Sequence, residues 1–174
     1  AFALLLGSIE NTADKLILEP SATWLSSTIK VAPLHTVFVF MKEDYRDIDV
    51  PQTIDNWDTI PVPGCWQLHG YENPNYTNIN YPYPCDPPYV PDANPCGVYE
   101  REFRLESLWG RVYYVLEGVS SCAFVYVNGN YVGFTQGSHL QAEFDITQYV
   151  MQGTNTLRVK VLKWCCGSYL EDQD

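Results

Sequence analysis

Short apolar runs separated by turn-forming residues fill the second half of the chain, at the spacing of strands rather than helices. Gly97 to Leu105 alternates apolar and polar positions, while Val112 to Leu116 and Ala123 to Val127 are compact apolar runs. Tyr131 to Thr135 follows Asn128-Gly129, a pair that tolerates the positive φ angles of a type I′ turn, so these two segments are predicted to form a hairpin. Leu157, Val159 and Val161 alternate with Arg158 and Lys160, which predicts a half-buried strand reaching Trp164. Between them, Asp145 to Gly153 reads as one capped helical turn, with Asp or Thr at its start and Gly as its stop. About seven or eight short strands at this spacing predict a two-sheet sandwich.

The first half is less regular. Val37-Phe-Val-Phe-Met41 is a continuous apolar run, predicted to be a strand buried on both faces. Asp55 to Asp58 begins a turn, and Thr59 to Pro63 is extended chain that Pro61 and Pro63 keep from the centre of a sheet. Residues 1 to 31 carry no clear period, and Ser21 to Ser27 reads as a polar turn around Trp24. The domain is therefore drawn over residues 32–174, with 1–31 unassigned. Ala1 to Leu6 is apolar but has no initiating Met, no basic flank and too little length for a signal or membrane segment; it is expected to be a strand, a helix edge or a cut end. The Pro-rich stretch from Pro74 to Pro95 is too long for a plain connector, and its rings and amides predict an ordered, functional loop.

Composition narrows the function classes. A chain of 174 residues suits one domain with one core. Its 21 acidic residues against 10 basic ones, a formal charge of -11, should repel phosphate backbones and anionic membranes, so neither nucleic acid nor membrane is an expected partner. The 6 cysteines lack the density of a disulfide scaffold, and a Cys165–Cys166 bridge would be a strained vicinal one; free thiols in a reducing, cytoplasmic compartment follow. Cys65 and His69 lack two further ligands, so no metal site is assigned. His35, His69 and His139 occur without a nucleophile elbow or zincin pattern, and no glycine-rich phosphate loop is present. The Asn75-Tyr-Thr77 sequon is discounted for want of any other sign of secretion. No catalytic residue is assigned.

Trp66-Gln-Leu-His-Gly-Tyr71, Tyr76-Thr-Asn78, Asp86-Pro-Pro-Tyr-Val-Pro91, Asn94-Pro-Cys-Gly-Val-Tyr99 and Trp164-Cys-Cys-Gly-Ser-Tyr-Leu-Glu-Asp-Gln-Asp174 together resemble the N-terminal domain of family-2 glycoside hydrolases, specifically bacterial β-galactosidases. The resemblance runs from Asn56 to Arg101 and from Glu117 to Asp174, is faint from Val37 to Asp55, and is absent before. It implies an all-β jelly-roll sandwich of the galactose-binding-domain type, whose loops reach the rim of a separate barrel that hydrolyses terminal β-galactosides with retention. By that resemblance, Asn78, with Ile79 beside it, and Cys166 contact the sugar. Cys166 stands where the family carries an Asp that binds galactose and sodium. A thiol is a poor ligand for a hard cation, which speaks against sodium dependence and strict galactose preference. Magnesium and both catalytic glutamates are implied for the parent enzyme and not for this chain. Glu171, Asp172 and Asp174 resemble loop residues that fix the domain against the barrel.

Family members continue beyond Gln173-Asp174, so the chain is expected to be a domain or fragment of a larger, oligomeric enzyme, inactive alone, with the remaining domains and a galactoside as partners. Two other roles are open. A free-standing carbohydrate-binding module would stack sugar on Trp66, Tyr76, Tyr83 or Tyr89, although Trp66, between Cys65 and Leu68, reads better as core. A purely structural assembly domain would make no sugar contact.

Overall fold

The structure, a computed structural model, describes residues 6–12, 27–37, 57–62, 66–71, 83–91 and 94–171. Among the described residues nine strands, all paired antiparallel, form two sheets. β1 (Leu6–Thr12), β5 (Arg111–Gly118) and β8 (Ala142–Asp145) make a three-stranded sheet in the order β1-β5-β8. β2 (Ser27–Val37), β3 (Asp58–Val62), β4 (Asn94–Leu105), β6 (Cys122–Val127), β7 (Asn130–Gln136) and β9 (Gly153–Leu162) make a six-stranded sheet in the order β3-β2-β4-β9-β6-β7. The β-sandwich expected from the sequence stands.

The alternation along β9 sets the core. Leu157, Val159 and Val161 are buried with Tyr99, Val125 and Val127 against Val112, Tyr114 and Leu116 of the facing sheet. The opposite face of the larger sheet is buried too, where Cys96, Val98, Cys122, Phe124, Leu162 and Cys165 form a second cluster with Trp57, Tyr126, Tyr131 and Phe134 packed on it. This corrects the half-buried reading of β9 at Lys160. Lys160 is only 6% exposed, its Nζ 4.5 Å from the Tyr126 ring centroid, so its stem lies in the second cluster while its charge faces a ring. Arg158 keeps its polar partner, its Nη2 2.6 Å from Oε2 of Glu100 on β4.

Local chemistry explains most element ends. Asn128 and Gly129 have φ of 50° and 79°, the two positive angles of the predicted hairpin turn between β6 and β7. β3, with Pro61 in it, takes an edge of its sheet, where a missing N–H costs no ladder bond. Two expectations are corrected. The segment without a clear period contains β1 and the start of β2, the one paired with β5 and the other with β3 and β4. The expected helical turn after Asp145 is a turn without a helix: Asp145 Oδ1 accepts the Thr147 N–H at 3.0 Å, and the Ile146 and Tyr149 N–H groups donate to Val112 O and Ile146 O. A helix cannot propagate there because side-chain amides claim its backbone. Asn128 Nδ2 donates to Tyr149 O, and Asn155 binds both the N–H and the C=O of Met151. The predicted strand at Val37 to Met41 meets the structure only at Val37, the last residue of β2; residues 38–41 and the Trp24 turn up to residue 26 lie outside the described residues.

One close approach ties the core to the loop end of the sandwich. Trp66, 3% exposed in the 3-10 turn Trp66–His69, lies over Gly97 of β4, where a Cβ would stand 2.8 Å from the ring. Gly97→Ala is therefore expected to destabilise the fold by about 1–3 kcal/mol, read as a lower denaturant midpoint with unchanged slope. An unchanged midpoint would mean that the ring shifts freely.

Candidate functional site

The end of the sandwich beyond β9 gathers the segments singled out in the sequence. β9 stops because Asn94, at the start of β4, binds the backbone of Trp164 on both sides: its Oδ1 accepts the Trp164 N–H at 3.0 Å and its Nδ2 donates to Trp164 O at 2.7 Å. The chain then turns through the 3-10 turn Cys166–Leu170, which Ser168 closes by accepting the Cys165 N–H at 3.1 Å. Beneath it, Ser121 Oγ lies 2.6 Å from Ser168 Oγ and 2.9 Å from Cys165 Sγ. Hydrogen bonds from Cys122, then from Ser121, the Gly167 N–H and Ser168, lower the Cys165 thiol to about 6 in spite of burial. Cys122, holding the shared proton and buried, is pushed well above the ordinary thiol range.

On the outer side of this turn Cys166 is half-buried, and its thiol donates to Gln136 Oε1 at the end of β7, 3.6 Å away. Glu171 reaches the next residues of the same loop, its Oε1 accepting from Ser138 N at 3.2 Å and Oγ at 2.6 Å. The Pro-rich strap is pinned alongside: Tyr169 OH donates to Tyr89 O and accepts the Asp86 N–H, and Tyr83 packs edge-on against Trp164 and Tyr169 with centroids 5.0 Å and 5.8 Å apart. The described part of that strap is thus ordered by its own contacts. Among the four rings considered for stacking, Trp66 is core, Tyr83 is packed between two aromatic neighbours, and Tyr76 lies outside the described residues. Tyr89 is 58% exposed and free to present a face.

Of the sequence-predicted contacts, Cys166 sits on the exposed side of this end, while Asn78 and Ile79 lie outside the described residues. Gln136 is the neighbour of Cys166 and Ser138 that of Glu171; both lie in the stretch Gly133 to His139, which the sequence marks as a family-like hairpin without assigning either residue a contact. Glu171 is spoken for within this chain, so its carboxylate binds Ser138, whatever else it meets. Asp172 and Asp174 lie outside the described residues, and no carboxylate pair of a glycosidase is described here. His69 and His139 are exposed. Cys85, Cys96, Cys122, Cys165 and Cys166 are free thiols, as expected from their spacing, and Cys65 lies outside the described residues.

The donor set around Cys166 does not suit sodium. It offers a thiol and one amide oxygen, and Glu171, the described carboxylate that follows the same turn, has an oxygen engaged by Ser138. Among the described residues no three His, Cys, Asp or Glu side chains gather to hold a metal, and no helix is long and apolar enough to cross a membrane.

The family model for glycosyl hydrolases family 2, sugar binding domain, matches residues 35–174. A β-galactosidase of Actinobacillus pleuropneumoniae is 57% identical over 115 residues, 66% of this chain and 11% of that protein. A β-galactosidase of Yersinia pestis bv. Antiqua (strain Angola) is 53% identical over 118 residues, again 66% of this chain and 11% of that protein. The chain thus spans about a tenth of the length of these relatives. Among solved structures, a β-D-mannosidase from Dictyoglomus thermophilum aligns with TM-score 0.52 at 17% identity, over 80% of this chain and 15% of the other. A β-glucuronidase of Bifidobacterium dentium aligns with TM-score 0.51 at 19% identity, over 90% and 20%. These two likenesses speak to the fold alone.

Proposed function

Because the chain belongs to the sugar-binding domains of glycosyl hydrolase family 2, we propose that it acts as the N-terminal, non-catalytic domain of a β-galactosidase and supplies loops to the rim of the galactoside site. The observation that carries this reading is the 57% identity to a β-galactosidase over two thirds of the chain, against 17% to the mannosidase that shares the fold. Asn78 and Ile79 from one loop and Cys166 from the turn after β9 are the contacts, with the side-chain amide of Asn78 able both to donate to and to accept from a sugar hydroxyl. The glycosidic bond is broken by residues outside 1–174, a cytoplasmic, homo-oligomeric parent enzyme supplying the acid/base and nucleophile glutamates and magnesium. No residue of this chain is assigned to magnesium.

Cys166 sets the expected departure within the family. With a thiol and the Gln136 amide at the rim, the parent enzyme is expected to respond little to sodium, and Cys166→Asp should bring in a sodium-dependent fall in KM. A sodium titration of KM in both forms checks this, and a strong sodium response with Cys166 in place would refute it. The main test is an assay with a chromogenic β-galactoside, on the chain alone and mixed with a β-galactosidase lacking this domain. Activity only in the mixture is expected. The exposed Tyr89 ring favours, as a second reading, an independent carbohydrate-binding module. No complementation, together with sugar binding by the chain alone that Tyr89→Ala removes, would decide for the module.

A further inference from the structure

We propose that Cys122 and Cys165 are a redox-responsive dithiol, closed to a disulfide by hydroperoxides at the base of the Cys166–Leu170 turn. The pairing follows from the strand register. Cys122 of β6 lies opposite Leu162 of β9, and Cys165 comes three residues later, where the chain bends back over the start of β6: its Sγ lies 2.9 Å from the hydroxyl of Ser121, the residue before Cys122, and both thiols belong to one buried cluster. Two other pairings are excluded by geometry. Cys96 faces Leu162 from the opposite side, so it stands two strand spacings from Cys122, about 9–10 Å, beyond the roughly 7 Å that a disulfide spans between Cα atoms. Cys166 adjoins Cys165 in sequence and would close only a strained ring.

Two further features make Cys165 the attacking sulfur. Ser121 Oγ at 2.9 Å is placed to donate to it, with Ser168 Oγ and the Gly167 N–H behind, an environment that favours thiolate over thiol. Cys165 is itself only 2% exposed, and Gly167 provides the way in. A Cβ built on this half-buried glycine would stand 3.3 Å from both Cys165 Sγ and Gln136 Oε1, so on that side the sulfur is covered by a hydrogen and the end of the exposed Gln136 side chain. In the first step the Cys165 thiolate attacks a peroxide oxygen, the O–O bond breaks, and the alkoxide or hydroxide released takes the proton that Cys165 gave up. The resulting sulfenic acid is attacked by the Cys122 sulfur; an S–S bond forms, the S–O bond breaks, and hydroxide leaves with the Cys122 proton as water. Both electrons come from the two thiols and pass to the peroxide.

The test does not depend on the role proposed for the domain. The reduced chain, carrying Cys166→Ser so that linkages are unambiguous, is treated with hydrogen peroxide at neutral pH, alkylated under denaturing conditions, digested and mapped by mass spectrometry. Cys122 linked to Cys165 is expected, with loss of the link and a dimedone-trappable Cys165 in Cys122→Ser. Gly167→Ala should slow formation of the link while leaving oxidation of the exposed Cys85 at its former rate. Oxidation of Cys85 with Cys122 and Cys165 both still reduced would overturn the proposal, as would a link from Cys165 to Cys96.

Discussion

Asn155→Ala is expected to destabilise the chain by about 3 kcal/mol, more than any other substitution considered, although Asn155 touches no candidate contact. The side chain is 1% exposed and makes four hydrogen bonds. Oδ1 accepts from Asn128 Nδ2 and Met151 N–H, both at 2.8 Å, and Nδ2 donates to Met151 O at 2.7 Å and Gly153 O at 3.0 Å. Alanine leaves these groups in a part-buried site without partners, and it frees the Asn128 amide that also holds Tyr149 O and, through Oδ1, the Thr156 N–H. The loss falls on the junction between the β6–β7 hairpin and the turn that enters β9. Urea unfolding measures it. Asn155→Asp keeps the acceptor but sets a carboxylate against two carbonyls, and should also be destabilising; a change within about 0.5 kcal/mol for either variant would show that water replaces the network.

Asn94→Ala is the second large effect, and it bears on the rim. Asn94 is 0% exposed and its two bonds to Trp164 are the described anchor of the end of β9. Removing them strands a buried N–H and C=O, a cost of about 2–3 kcal/mol. The location is as informative as the size. Lys163 still donates its N–H to Pro95 O, so the ladder ends in place while the Cys165–Leu170 segment loosens. Hydrogen exchange at residues 164–168 should rise far more than at β4 or β6. A uniform rise across all strands would instead mean that Asn94 supports the fold as a whole and does not hold the turn in particular.

Elements whose signal is local were legible beforehand. Asn128-Gly129 named its turn because only residues tolerant of positive φ close a two-residue hairpin, and Pro61 marked an edge strand because it lacks a donor. β1 was illegible: its seven residues, Leu6–Thr12, form no clean alternation, and they find their partner some hundred positions later in β5. The expected helical turn after Asp145 failed for a related reason. Asp145 does cap the Thr147 N–H, but whether the next turns wind into a helix was decided by Asn128 and Asn155, brought in from other elements.

The sequence by itself determined an all-β chain, an acidic surface, free thiols and a set of loop motifs that resemble those of β-galactosidases, because strand periodicity, turn chemistry and charge are properties of neighbours along the chain. Only the tertiary structure decided that Lys160 is buried, that Tyr89 is an exposed ring, and that Cys166 faces Gln136 while Cys165 packs in one cluster with Cys122. Each of these rests on contacts between residues thirty or more positions apart. Strand register and burial create such contacts, and no local pattern encodes them.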